Sequence, residues 1–136
     1  MDHKVGAEFG EMIELAGYDL SQERESLHLT LYWRALTLPD RHYMFFVHLA
    51  DPESGEPASQ VDTMPKGFNY PTGQWAPGEV VTDEIEISTQ DVGAGRYDLA
   101  VGWYDPHTKE RLDVVDGEGR PLADGRLVLP SRVVLP

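Results

Sequence analysis

Two stretches of this chain alternate apolar and polar residues with a period of two, and no stretch offers a convincing apolar period of 3.6. Leu27, Leu29, Leu31, Trp33 and Ala35 alternate with His28, Thr30, Tyr32 and Arg34, and Tyr97, Leu99, Val101 and Trp103 alternate with Asp98, Ala100, Gly102 and Tyr104. Successive side chains of a strand point to opposite faces, so each stretch predicts a strand with one apolar face to bury. A chain built of such segments must stack sheet on sheet.

The remaining segments extend this pattern. His42 to Ala50 carries Tyr43, Phe45, Val47 and Leu49 on one side and Met44, Phe46 and His48 on the other, predicting a central strand covered on both faces. Leu38-Pro39-Asp40-Arg41 between it and the Leu27 strand predicts a reversal, most economically a hairpin. The punctuation Asp51 to Pro57 hands over to a polar edge strand around Ala58 to Thr63. Val81, Ile85 and Ile87 face one way and Thr82, Glu84 and Glu86 the other, with Asp83 interrupting the apolar series. Phe9 to Leu20 reads as one strand bent or bulged at Gly17, Arg111 to Val115 as a short strand, and Leu127 to Leu135 as the last. The sum is an all-β, two-sheet antiparallel β-sandwich of about seven or eight strands, jelly-roll or immunoglobulin-like in connectivity.

A length of 136 residues suits one core, and neither a repeat nor a low-complexity tract divides residues 1–136, which are expected to form a single domain. The formal charge of −13 repels phosphate backbones and argues against a nucleic-acid partner. Cysteine is absent, so packing alone must hold the fold, without disulfides or thiolate metal sites. No apolar run is long enough to span a bilayer, and Met1-Asp2-His3-Lys4 opens no signal-peptide segment; the isolated chain is expected to be soluble.

From Met64 to Gly78, Pro65, Gly67, Pro71, Gly73, Pro77 and Gly78 break any regular element, leaving a long loop to be packed by Phe68, Tyr70 and Trp75. Around this loop, several segments together resemble the soluble C-terminal β-sandwich domain of bacterial membrane glycosyltransferase-like proteins of the dolichol-phosphate-mannose mannosyltransferase type. They are Tyr70-Pro71-Thr72-Gly73-Gln74-Trp75-Ala76-Pro77-Gly78-Glu79-Val80-Val81-Thr82-Asp83, Gly95-Arg96-Tyr97-Asp98-Leu99-Ala100-Val101-Gly102-Trp103-Tyr104-Asp105, Gly17-Tyr18-Asp19-Leu20, Leu29-Thr30-Leu31-Tyr32-Trp33-Arg34-Ala35-Leu36 and Phe46-Val47-His48-Leu49. The resemblance implies a domain displayed on the non-cytoplasmic side and attached to a membrane-embedded transferase region of the same longer protein, which carries the chemistry. No catalytic residue of that region maps onto this chain.

The residues suggest few sites. Tyr70 and Trp75 in the long loop, with Tyr104, are candidate aromatic faces for stacking against a glycan or a lipid-linked sugar. The plainer alternative is that Trp75 plugs the end of the sandwich and Tyr70 anchors the loop through a backbone hydrogen bond. Asp116, Glu118 and Asp124, with Asp105 and Asp113, supply enough oxygen ligands for a structural calcium ion, although their spacing is not that of an EF-hand and acids in Gly-rich turns ordinarily shape the turn. No other cofactor is expected. His48 and Asp62 on neighbouring strands form a conceivable acid–base pair, against the simpler reading of a partly buried structural histidine. No nucleophile elbow, phosphate loop or metal-ligand spacing is visible, so the chain is expected to be a non-catalytic accessory domain. A purely structural or protein-contact module without a small ligand is the alternative.

Overall fold

A computed structural model describes all residues 1–136 as ten strands and two short 3-10 turns. The strands are β1 (His3–Phe9), β2 (Ile13–Gln22), β3 (Ser26–Ala35), β4 (Met44–Ala50), β5 (Pro57–Thr63), β6 (Val80–Ser88), β7 (Gly95–Tyr104), β8 (Val114–Val115), β9 (Pro121–Leu122) and β10 (Leu127–Leu135). They form a six-stranded sheet, β6-β3-β2-β1-β8-β9, and a four-stranded sheet, β10-β7-β4-β5, with all pairings antiparallel. The expected sandwich is therefore present with ten strands, more than the seven or eight read from the sequence, because the single strand read from Phe9 to Leu20 spans parts of β1 and β2, and β9 is a two-residue strand too short to show alternation.

The strand order fits the immunoglobulin-like alternative. Lettered A to G, such domains pair A-B-E-D in one sheet and C-F-G in the other, with a further strand beside C in the variable type. Here β2-β3-β6 take the A-B-E places and β5-β4-β7-β10 take C′-C-F-G, while β1, β8 and β9 extend the first sheet beyond A. The β3–β4 connection is accordingly a crossing between sheets and not a hairpin: Pro39 and Asp40 do turn the chain, but β3 pairs with β2 and β6 while β4 pairs with β5 and β7.

Phe9 to Leu20 proves to be the end of one strand and most of another. Gly10 and Glu11 both adopt left-handed φ, and the chain reverses so that Phe9 pairs with Ile13. Within β2 the expected bulge is present, for the register with β3 shifts between Leu15 and Gly17. The extra residue moves the inward positions from Ile13 and Leu15 to Tyr18, keeping one continuous apolar face.

That face joins a core of 26 buried residues. At its centre the Trp33 and Trp103 rings meet edge-on at 4.8 Å, one from each sheet, and Phe45 lies 5.4 Å from the first and 5.0 Å from the second. In immunoglobulin domains a disulfide links these same two strands; here aromatic packing takes its place. β4 is buried on both faces from Phe45 to Ala50, and β5 is the exposed edge beyond it, as the sequence predicts.

Candidate functional site

Three connections converge at one end of the sandwich: β3–β4 (36–43), the long β5–β6 loop (64–79) and the turn after β7 (105–110). In variable immunoglobulin domains the corresponding end carries the binding loops. Thr72, fully buried at the start of a 3-10 turn, links the first two, because its hydroxyl donates to Arg41 O at 2.7 Å and accepts from Tyr43 N at 2.9 Å. Gly73 N donates to His42 Nδ1 at 3.2 Å. Arg41 reaches the third connection through an ion pair of 2.8 Å with Asp105, and that bond is the main reason the Asp105 carboxyl lies below its ordinary pKa.

The long loop is packed by two of its own aromatics. Trp75 is 1% exposed, donates Nε1–H to Tyr70 O at 3.0 Å and meets Trp103 edge-on at 5.9 Å. Tyr70 donates its hydroxyl to the Glu79 carboxylate at 2.7 Å. That bond holds the phenol's pKa above its usual range, and Glu79 lies below its own, first through the Ala76 N–H and then through Tyr70. Trp75 thus plugs the sandwich end and has no face free for a ligand, and the Tyr70 hydroxyl is already engaged.

Phe68 behaves otherwise. Although the sequence groups it with Tyr70 and Trp75, it is 56% exposed, and Lys66, Gly67 and Phe68 all have left-handed φ. A bulky residue rarely adopts that conformation, so the surrounding structure must hold it there. Asp83 supplies one restraint: from the core-facing side of β6 its carboxylate accepts Lys66 N–H at 3.0 Å. Asp83 is only 3% exposed, and burial raises its pKa despite this hydrogen bond and the Lys66 charge. The interruption of the apolar series in β6 therefore fastens the base of the Phe68 tip.

Between the three connections lies a cleft of about 640 Å³ whose walls include Leu38, Asp40, Arg41, His42, Met64 and His107. Asp40 accepts the Tyr43 hydroxyl at 2.6 Å, and burial followed by that bond pushes the Tyr43 pKa up to about 12. The His42 and His107 side chains are exposed at the rim. The sequence names Phe68 only as packing for the loop and gives neither it nor Leu38 or His107 a place in a site, and only the Pro65–Gly67 punctuation signals the unusual backbone that presents Phe68.

Tyr104 lies elsewhere, on the outer face of the four-stranded sheet, where its hydroxyl donates to Asp62 at 2.8 Å; burial and this bond raise its pKa to about 12. Asp62 also accepts Gln60 Nε2–H at 2.9 Å, so its carboxylate serves Tyr104 and Gln60. His48, 9% exposed, is kept less basic than usual chiefly by burial, with the Asp62 charge opposing. The expected ligand trio Tyr70, Trp75 and Tyr104 is thus divided between the loop end and the sheet face.

The carboxylates considered for calcium are not brought together either, and no group of three or more His, Asp or Glu side chains converges as a metal site. Asp116 is an Asx-type turn former: it accepts the Glu118 and Arg120 N–H groups at 2.9 Å each, and the Arg120 N–H is the main cause of its lowered pKa. Glu118 pairs with Arg120, Asp124 is exposed at a left-handed φ, and Asp105 is held by Arg41.

Comparison of the chain with protein-family models, with curated proteins and with solved structures gives no match. No helix is long and apolar enough to cross a membrane.

Proposed function

We propose that this chain is a non-catalytic binding module that takes a glycan, or the sugar of a lipid-linked saccharide, in the cleft at its three-loop end. The observation that carries the reading is the cleft itself: about 640 Å³, bounded by connections tied to one another by Thr72, His42 and the Arg41–Asp105 pair. Asp40, His42 and His107 line it with hydrogen-bonding groups suited to hydroxyls, and Phe68 on the same long loop offers the exposed aromatic face that Trp75 does not. A tied framework suits binding because little ordering entropy is left to be lost when a ligand arrives.

The resemblance to domains appended to membrane glycosyltransferase-like proteins supports a sugar as the ligand and the non-cytoplasmic face as its place. The acids nearest the cleft serve the architecture, Asp105 on Arg41 and Asp40 on Tyr43, which favours recognition over acid–base chemistry. A protein-contact role is the second reading, favoured by the exposure of both Leu38 and Phe68 at this end.

The test is an NMR chemical-shift titration of the chain against a panel of bacterial glycans, with Phe68→Ala as the control. Saturable shifts at Gly73, His42 and His107 that weaken in a folded Phe68→Ala variant are expected. A panel without any shift would overturn the sugar reading and leave the protein-contact one.

A further inference from the structure

The outer face of the four-stranded sheet carries a second arrangement, independent of the cleft. Phe46 is buried there but lies apart from the sandwich core. It packs on β7 at Gly102, where a Cβ would collide with its ring. The His48 ring lies 4.4 Å from the Phe46 ring, and the Arg111 guanidinium carbon sits 4.4 Å from the Phe46 centroid. Lys109 Nζ lies 5.9 Å from the centre of the adjacent Tyr104 ring. Arg126 adjoins the group: the Arg111 side chain packs against Gly125, the residue before it, the Arg126 guanidinium lies beside Gly55, and its buried Nε–H has no hydrogen-bond partner.

Three of the eleven basic residues of the chain are gathered here, and none of them belongs to an ion pair. Elsewhere Arg34, Arg41, Arg120 and Arg132 each have a carboxylate within 4 Å, and the four others without one, Lys4, Arg24, Lys66 and Arg96, are exposed, whereas Arg126 is half-buried. Twenty-four acids are available, so shortage does not explain the difference. Arg111 spends one N–H on Asp124 O at 2.9 Å, a carbonyl that leaves its charge uncompensated. The Asp62 carboxylate on the same face is occupied by Tyr104 and Gln60. A partly buried guanidinium without a counter-ion is costly, and guanidinium groups bind planar or tetrahedral oxyanions through paired N–H donors.

From this juxtaposition we infer that Arg111 and Arg126, flanked by Lys109 and floored by Phe46, form a binding site for an oxyanion: a carboxylate, sulfate or phosphate group. With a net charge of −13 the general field repels anions, so binding here depends on short-range donors and not on attraction at a distance. The same oxyanion can come from a free inorganic ion or from an acidic sugar.

Arginine side-chain Nε–H signals report the site directly. The chain is titrated with sulfate, phosphate and glucuronate, each against chloride at matched ionic strength. The expected result is a saturable shift of the Arg111 and Arg126 Nε–H signals with at least one oxyanion and none with chloride. Arg126→Gln, checked for folding by its amide spectrum, should weaken binding by about tenfold or more, the loss expected of one charge-assisted donor; Arg111→Gln serves if that variant does not fold. Stronger binding of glucuronate than of the inorganic ions identifies an acidic sugar as the source, and the reverse order identifies a free anion. Equal shifts in chloride, no shift in any oxyanion, or unchanged binding in a folded variant would overturn the site.

Discussion

The loop end and the outer sheet face are both rich in polar groups, yet they use them in opposite ways. At the loop end Thr72, Trp75, Tyr70, Asp83 and Arg41 are each bonded to a group elsewhere in the chain, and the result is an ordered framework around an open cleft. On the sheet face Arg126 keeps an unpartnered donor and Lys109 and Arg111 have no carboxylate. Buried polar groups are normally satisfied, so the first region reads as architecture and the second as a place awaiting a partner. At the loop end it is the space between the bonded groups that is offered; on the sheet face it is the groups themselves.

The contrast is most easily broken at Trp75. If the indole is architecture, Trp75→Ala removes a fully buried ring and should cost about 3–5 kcal/mol in denaturant unfolding, on the scale of Trp103→Ala at the core centre. A loss below about 1 kcal/mol would place the ring in a loop that opens freely, and would return it to the candidates for ligand stacking. A smaller effect is expected at Thr72, whose hydroxyl joins two connections. Thr72→Val keeps the shape but strands Tyr43 N–H and Arg41 C=O, costing about 1–3 kcal/mol. Its amide exchange should quicken at Tyr43 and Gly73 together, whereas a change confined to one connection would show that the hydroxyl does not bind them into a unit.

The two regions also differ in how far the sequence announces them. Leu27–Ala35 reads correctly because β3 sits between two strands with one face in the core throughout, so nothing disturbs its alternation. Phe9–Leu20 misleads because Phe9, Ile13 and Leu15 keep one period-two phase across the reversal at Gly10-Glu11, and Glu11 in a left-handed conformation has no signature as a turn residue. Pro39-Asp40 announces a turn but not which sheet receives the next strand. The loop end was partly legible, since its Pro and Gly residues and the isolated Asp83 are all visible in one dimension. The sheet face was not: Arg111 is brought over Phe46 and Lys109 over Tyr104 only by the excursion between β7 and β10. Gly102 in mid-strand was the one local hint that something approaches the backbone closely there.

Asp83 gives the smallest and most discriminating effect, because it is the loop-end group whose bonding is least complete. Its buried carboxylate has one backbone donor, Lys66 N–H, and burial raises its pKa above the ordinary 3.8. A raised native pKa means that the folded state prefers the protonated acid. The stability this gives is fully present below the ordinary value and is lost as pH rises through the raised one, leaving the fold weakened at neutral pH. Asp83→Asn keeps an acceptor oxygen for Lys66 N–H and removes the charge. Urea midpoints measured between pH 3 and pH 7 should therefore rise in the variant at pH 7, by less than either loss above, and converge with the parent toward pH 3. A variant that is less stable than the parent at pH 7 and converges with it toward pH 3 would mean that the ionised carboxylate is itself what holds the Phe68 tip. Asp83 would then join Thr72 among the groups the loop end cannot do without.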